Sequence, residues 1–243
     1  MNQIIAHRGA SAYAPENTLA SFNKAWSMGA RMVEFDVMLS ADGEPFVFHD
    51  DNLKRTTNGQ GEFGQVSAEY IRSLDAGSWF SNQFSSEKVP SLLTTLQWIL
   101  AKDMQANIEI KPYPGMTEQT TVAVLTHLNR YWPHGKNLPL VSSFDLKALS
   151  LCRSLSPEIP IGMLLHEWDD DWLSMSRKLS CYSIHLNAKI VTKARIEAMK
   201  AEGYFVYVYT VNHQRLARQL FAFGVDAVFS DYPDLLGIVN AHA

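Results

Sequence analysis

Cysteine and charge are both scarce in this sequence. Only Cys152 and Cys181 occur among 243 residues, far apart and outside any C-x-x-C spacing, which excludes a disulfide scaffold and a thiolate metal site. Charged residues make up 19% of the chain, too few for a disordered protein, while 47% apolar residues suffice for a large core. The 21 basic residues are scattered and outnumbered by 25 acidic ones, so there is no basic stripe to grip a phosphate backbone, and nucleic acid is excluded as a partner. No run approaches the ~20 apolar residues that span a bilayer. The opening residues Met1-Asn2-Gln3 lead straight into Ile4-Ile5-Ala6-His7, without the basic and apolar regions of a secretory signal. A cytoplasmic protein without stable membrane association is expected.

What the chain does have is rhythm. Short apolar runs ending in polar residues alternate with longer segments of helical spacing, the mark of repeated βα units. The strand candidates are Gln3 to Ala6, Met32 to Met38, Ala106 to Ile110, Leu138 to Ser142, Ile159 to Leu164, Tyr182 to Leu186, Phe205 to Tyr209 and Ala227 to Phe229. That count and a length near the ~250 residues of one (β/α)8 barrel predict a single TIM-barrel domain over residues 1–243. Asn17-Thr18 supplies the chemistry of a helix start, and Gly29, Gly203 and Gly224 each close a helical run. The rhythm breaks between about residues 50 and 90, where Thr56 to Gly61, Gly77 to Phe80 and a serine-rich stretch predict an insertion. Within it, Trp79 and Phe80 are expected to anchor the insertion more than to cap a site.

Active sites of such barrels lie at the C-terminal ends of the strands. The first strand delivers His7-Arg8-Gly9. In the second, Val33-Glu34-Phe35-Asp36-Val37 alternates apolar and acidic residues, and a period of two turns both carboxylates to one face. Two such groups buried together repel each other and are costly to desolvate, so a cation is the expected compensation. The third strand repeats the device in Asn107-Ile108-Glu109-Ile110-Lys111, expected to face Glu34 and Asp36 across the barrel mouth. Three oxygen ligands favour one divalent cation, Mg2+ or Ca2+, over zinc. Arg8 and Lys111 place positive charge beside it, which suits a phosphorylated substrate.

His7 ends the first strand, and His49 ends the phrase Pro45-Phe46-Val47-Phe48. Two imidazoles around a metal and phosphate site can serve as base and acid near neutral pH, and these two are the expected catalytic pair. His127, His134, His213 and His242 fall in positions expected to be solvated. His166 and His185 follow the fifth and sixth strands, close enough to the mouth for a peripheral role.

In this order, His7-Arg8-Gly9, Pro15-Glu16-Asn17-Thr18, Glu34-Phe35-Asp36, Asp42-Gly43, His49-Asp50 and Arg55-Thr56-Thr57-Asn58-Gly59 resemble the signature of the glycerophosphodiester phosphodiesterases. Matches at Val89-Pro90-Ser91-Leu92, Glu109-Ile110-Lys111, Ser143-Phe144, Tyr209-Thr210-Val211-Asn212 and Ser230-Asp231-Tyr232-Pro233 carry the resemblance over nearly the whole chain. It implies a (β/α)8 barrel and hydrolysis of small-molecule glycerophosphodiesters to sn-glycerol 3-phosphate and an alcohol. It also implies a divalent metal on Glu34, Asp36 and Glu109, phosphate held by Arg8 and Lys111, and proton transfer by His7 as first base and His49 as acid. Glu16 is expected to partner Arg8. Tyr209 stands where the family often has tryptophan, an aromatic wall of altered shape for the substrate. The rivals are a phospholipase D-like enzyme on the same barrel, which needs an exposed apolar rim, and a barrel that binds phosphodiesters without cleaving them.

Overall fold

The computed structural model describes residues 3–235. Its strands are β1 (Gln3–His7), β2 (Met32–Leu39), β3 (Pro45–Val47), β4 (Gln105–Ile110), β5 (Leu140–Ser143), β6 (Ile161–Leu165), β7 (Ser183–Asn187), β8 (Phe205–Tyr209) and β9 (Ala227–Ser230). The helices are α1 (Leu19–Ser27), α2 (Ala68–Ser73), α3 (Leu92–Ala101), α4 (Thr117–Tyr131), α5 (Leu146–Leu155), α6 (Trp172–Leu179), α7 (Lys193–Ala201) and α8 (Gln214–Ala222). Eight strands are parallel, and because β1 pairs with both β2 and β9 the sheet closes. The result is a TIM barrel. β3 lies outside the circle, folded back antiparallel on β2 through Val37, Met38 and Leu39.

All eight expected barrel strands form. β5 and β6 begin two residues later than their apolar runs suggest, because Pro139 and Pro160 precede them and a proline has no N–H to give to the ladder. Thr18 caps α1 in a capping box with Ser21. Gly29, Gly203 and Gly224 follow α1, α7 and α8 with left-handed φ values of 83°, 86° and 97°.

Along β2 the alternation sorts side chains into two layers. Val33, Phe35 and Val37 join the core between sheet and helices, where Phe35 meets Phe22 of α1 with ring centroids 5.8 Å apart. Glu34 and Asp36 line the interior cavity. Beneath that cavity Ile5, Met32, Leu140, Tyr207, Ala227 and Phe229 form a separate apolar plug, so the barrel is filled at one end and polar at the other. Cys152 and Cys181 are buried free thiols. Among the described residues no helix is long and apolar enough to cross a membrane.

The insertion has its own small core. Phe48, Leu53, Phe63, Ile71, Leu74 and Val89 pack with Met38 of β2 and Phe46 of β3, and Phe48 stacks on Phe63 at 4.6 Å. Trp79 packs edge-on against Phe80, and its indole N–H donates to the Ala76 carbonyl at 2.8 Å. Neither ring lines the central cavity.

Candidate active site

The strand ends converge on a cavity of about 350 Å³ lined by His7, Arg8, Glu34, Asp36, His49, Asn107, Glu109, Lys111 and Tyr209, with Phe144, His166 and His185 among the rest. Every residue expected in the site therefore reaches one cavity. Glu34, Asp36 and Glu109 are all buried, and each offers an oxygen within 4.8 Å of the others'. Their relation differs from the expected one in one respect: β4 pairs directly with β2, with Asp36 beside Glu109 and Glu34 beside Asn107. Consecutive barrel strands are neighbours, and the chain between these two is spent on β3 and the insertion, so the acids sit side by side and not across the mouth.

Their electrostatics show what the cluster lacks. Burial, together with Asp36 and Glu109, raises the Glu34 carboxyl well above its ordinary range, even though the Arg8 backbone N–H donates to it at 3.0 Å. Burial and then Asp36 push Glu109 up to about 8. Burial also works against the charge on Asp36, but Arg8, His49 and Lys111 outweigh it and hold this carboxyl at about 2. Glu109 accepts no hydrogen bond from the described residues, and the buried Asn17 Oδ1 and Asn107 Oδ1 beside the cluster lack partners. Two carboxyl groups whose ionisation is resisted for want of positive charge, beside a third that is ionised and with neighbouring oxygens to spare, fit a hard divalent cation.

Arg8 is built into this arrangement by its backbone. It adopts a left-handed φ of 53°, and Gly9 follows at 83°. A Cβ on Gly9 would lie 2.4 Å from Ser21 Oγ, so only glycine lets the β1 end pass α1 this closely. The guanidinium reaches Glu16 Oε1 at 2.7 Å and Asp36 Oδ2 at 3.3 Å. Burial disfavours its charge, yet Asp36, Glu16 and Glu34 more than offset that and fix it as a cation. Glu16 is thus the partner expected for Arg8. Thr18 starts α1, whereas Asn17 donates from Nδ2 to Asp36 Oδ2 at 2.9 Å.

Both histidines are held in the same way. His7 Nδ1 lies 2.7 Å from Asp231 Oδ1, and His49 Nδ1 lies 2.6 Å from Asp50 Oδ1. A carboxylate at Nδ1 fixes the proton there and leaves Nε2 free to exchange protons. Asp231 is in turn held by Ser11 Oγ at 2.9 Å and Asn212 Nδ2 at 2.5 Å. His49 Nε2 touches Lys111 Nζ. Burial lowers the His49 pKa, helped by Arg8 and Lys111 and opposed by Asp36 and Asp50, which favours the neutral ring beside Lys111.

Asp50 and Asp231 carry no role in the sequence reading, although both stand in quoted motifs. Asp50 follows His49 directly. Asp231 is found only through closure: β9 is the last strand and pairs with β1, Ala6 beside Ser230, which brings the next residues together. Arg55 is a third such residue, forked between Asp50 and Glu16.

Phe144 and Tyr209 form an aromatic wall, edge to face at 5.9 Å. The Tyr209 hydroxyl is committed to the Leu165 carbonyl at 2.9 Å. His166 stands at the mouth beside Asn187. His185 does not: it is fully buried in the barrel interior, over Tyr207 at 5.0 Å, where burial drives its pKa down to about 3. His134 and His213 are exposed, His127 is half-buried on α4, and His242 lies outside the described residues.

The family model described as the glycerophosphoryl diester phosphodiesterase family matches residues 7–235. A glycerophosphodiester phosphodiesterase of Caldanaerobacter subterraneus subsp. tengcongensis is 32% identical, with 96% of this chain and 95% of the relative covered. One from Bacillus subtilis is 31% identical over 95% of this chain and 84% of its own. Among solved structures, an Oleispira antarctica phosphodiesterase in complex with the product sn-glycerol-3-phosphate superposes with a TM-score of 0.94 at 39% identity, covering 98% of this chain and 96% of that one. With a matching model over nearly its full length and relatives above 30% identity, the chain belongs to the glycerophosphoryl diester phosphodiesterase family and is a phosphoric diester hydrolase.

Proposed function

We propose that this protein hydrolyses glycerophosphodiesters to sn-glycerol 3-phosphate and an alcohol, with Glu34, Asp36 and Glu109 holding one divalent cation, Mg2+ or Ca2+. The observation that carries the proposal is the pairing of two carboxylate-held imidazoles, His7 and His49, in one cavity with the acidic trio and two fixed cations. When bound, the cation would polarise the phosphoryl group and favour ionisation of the attacking hydroxyl.

The protein's own groups do the rest. Arg8 and Lys111 bind the phosphoryl oxygens through charge-assisted hydrogen bonds. His7 accepts at Nε2 the proton of the nucleophile, the glycerol 2-hydroxyl or a water, while Asp231 stabilises the imidazolium that results. His49 delivers a proton from Nε2 to the leaving alcohol. In the free site Lys111 keeps that nitrogen unprotonated. Burial foremost, and then the Arg8 and Lys111 charges, lower the His49 pKa, and an anionic diester offsets those two charges, which shifts the ring toward its acid form. If the 2-hydroxyl attacks, the cyclic phosphate is opened by water with the two roles reversed. Tyr209 and Phe144 wall the substrate.

The test is a comparison of glycerophosphocholine with intact phosphatidylcholine, using the parent and the His7→Ala and His49→Ala variants. Turnover of the soluble diester alone, lost in both variants, supports the proposal. Turnover of the lipid alone, or near-normal activity in either variant, contradicts it.

A further inference from the structure

Arg55 lies in the insertion, does not line the cavity and has no part in the proton transfers above. It nevertheless makes four charge-assisted hydrogen bonds at the edge of the site. Nε and Nη2 reach Asp50 Oδ2 and Oδ1 at 2.6 and 2.9 Å, and Nη1 and Nη2 reach Glu16 Oε2 and Oε1 at 2.7 and 2.8 Å. The two oxygens that share Nη2 are the ones already engaged with the site: Asp50 Oδ1 holds His49 Nδ1, and Glu16 Oε1 holds Arg8 Nη1. A continuous chain therefore runs from His49 through Asp50, Arg55 and Glu16 to Arg8.

A carboxylate on its own rotates about its stem. A guanidinium fork fixes the carboxylate plane, and one fork gripping two carboxylates fixes them relative to each other. The backbone that presents Arg55 is braced from both sides: the buried Thr57 donates to the Leu53 carbonyl at 2.6 Å and accepts from Gly59 N–H at 2.9 Å. The Arg55 side chain is 45% exposed. A half-exposed ion pair adds little to fold stability, so its geometry bears on the groups it orients.

We infer that Arg55 is a positioning residue, orienting His49 through Asp50 and Arg8 through Glu16, so that the proton donor and the phosphate-binding cation are placed together. The insertion's contribution to the reaction is then to present Arg55 together with Asp50. The inference rests on the phosphodiesterase function proposed above.

Steady-state kinetics on glycerophosphocholine with Arg55→Ala and Arg55→Lys test it. Misplacing a catalytic group through its hydrogen-bonded support costs on the order of 10–100-fold, so kcat of Arg55→Ala should fall by about that factor. KM should rise several-fold as Arg8 loosens. Arg55→Lys should recover little, because one ammonium cannot fork two carboxylates, whereas millimolar guanidinium should restore part of the Arg55→Ala activity and leave the parent unchanged. Kinetic constants within about twofold of the parent in both variants would overturn the inference. So would a loss in Arg55→Ala that follows its unfolded fraction while Arg55→Lys is fully active. If Arg55→Ala does not fold, the folded Arg55→Lys variant decides by the same kinetic criterion. A parent inactive on glycerophosphocholine refutes the proposed function, whereas an active parent with unaffected variants refutes only the role of Arg55.

Discussion

His7 and Asp231 stand 224 positions apart in the chain and 2.7 Å apart in the barrel. Burial disfavours the Asp231 charge, but the bond to His7, with Asn212 and Ser11, holds its carboxyl at about 2, so it stays an anion that fixes the imidazole tautomer. Asp231→Asn keeps the shape and removes that control. Its kcat is expected to fall at least about 100-fold with KM little changed, since outer partners of a working histidine are worth that much or more. Nitrogen NMR of the His7 ring should show the Nδ1-protonated tautomer in the parent and its loss in the variant.

The acidic trio predicts a pH dependence of stability in metal-free protein. Glu109 carries its proton up to about pH 8 in the fold against an ordinary value of 4.5, and Glu34 is shifted the same way. Below about pH 6.5 the lowered pKa values of His185 and His49 work the other way, but above it both rings are neutral in either state, and the native state binds more protons than the unfolded chain through Glu109 and Glu34, so stability falls as pH rises. Metal-free protein should lose Tm from about pH 6.5 to about 8, and Mg2+ or Ca2+ should abolish the trend while releasing protons on binding. Calorimetry in buffers of different ionisation enthalpy checks the proton count.

Much of this arrangement is legible in the sequence because it is local. Period-two alternation in Val33 to Val37 identifies which way Glu34 and Asp36 face, and that depends on no other segment. Pro139 and Pro160 shift two strand starts, which an apolar run alone does not reveal. What local pattern does not carry is pairing between distant segments. The neighbourhood of Glu109 and Asp36 depends on strand order, the partner of His7 on closure of the barrel, and the fork of Arg55 on the fold of the insertion. His185 is similar: expected near the mouth, it lies within β7, in register with Leu164 and Tyr207, and is buried in the barrel interior.

Phe22 joins α1 to the back of β2, packed on Phe35 at 5.8 Å and Trp98 at 5.7 Å, with no exposure. Phe22→Ala should cost about 3–5 kcal/mol in urea denaturation. Because Glu34 and Asp36 lie on the other face of β2, the folded fraction should keep kcat close to the parent value.

Trp79 lies outside the cavity lining and the insertion's core, 40% exposed and packed on Phe80. Trp79→Ala should lower stability by about 0.5–1.5 kcal/mol, the scale of a lost aromatic contact, and leave kcat/KM for glycerophosphocholine within about twofold. A large rise in KM would instead give this ring a part in substrate binding.

The most direct test of the central claim is release of sn-glycerol 3-phosphate from glycerophosphocholine by protein first stripped with a chelator. The account predicts no release from the stripped protein, recovery on adding Mg2+ or Ca2+, and no recovery when Glu34 and Glu109 are both changed to Gln. Undiminished release after chelation, or release by the Glu34→Gln/Glu109→Gln protein, would contradict it.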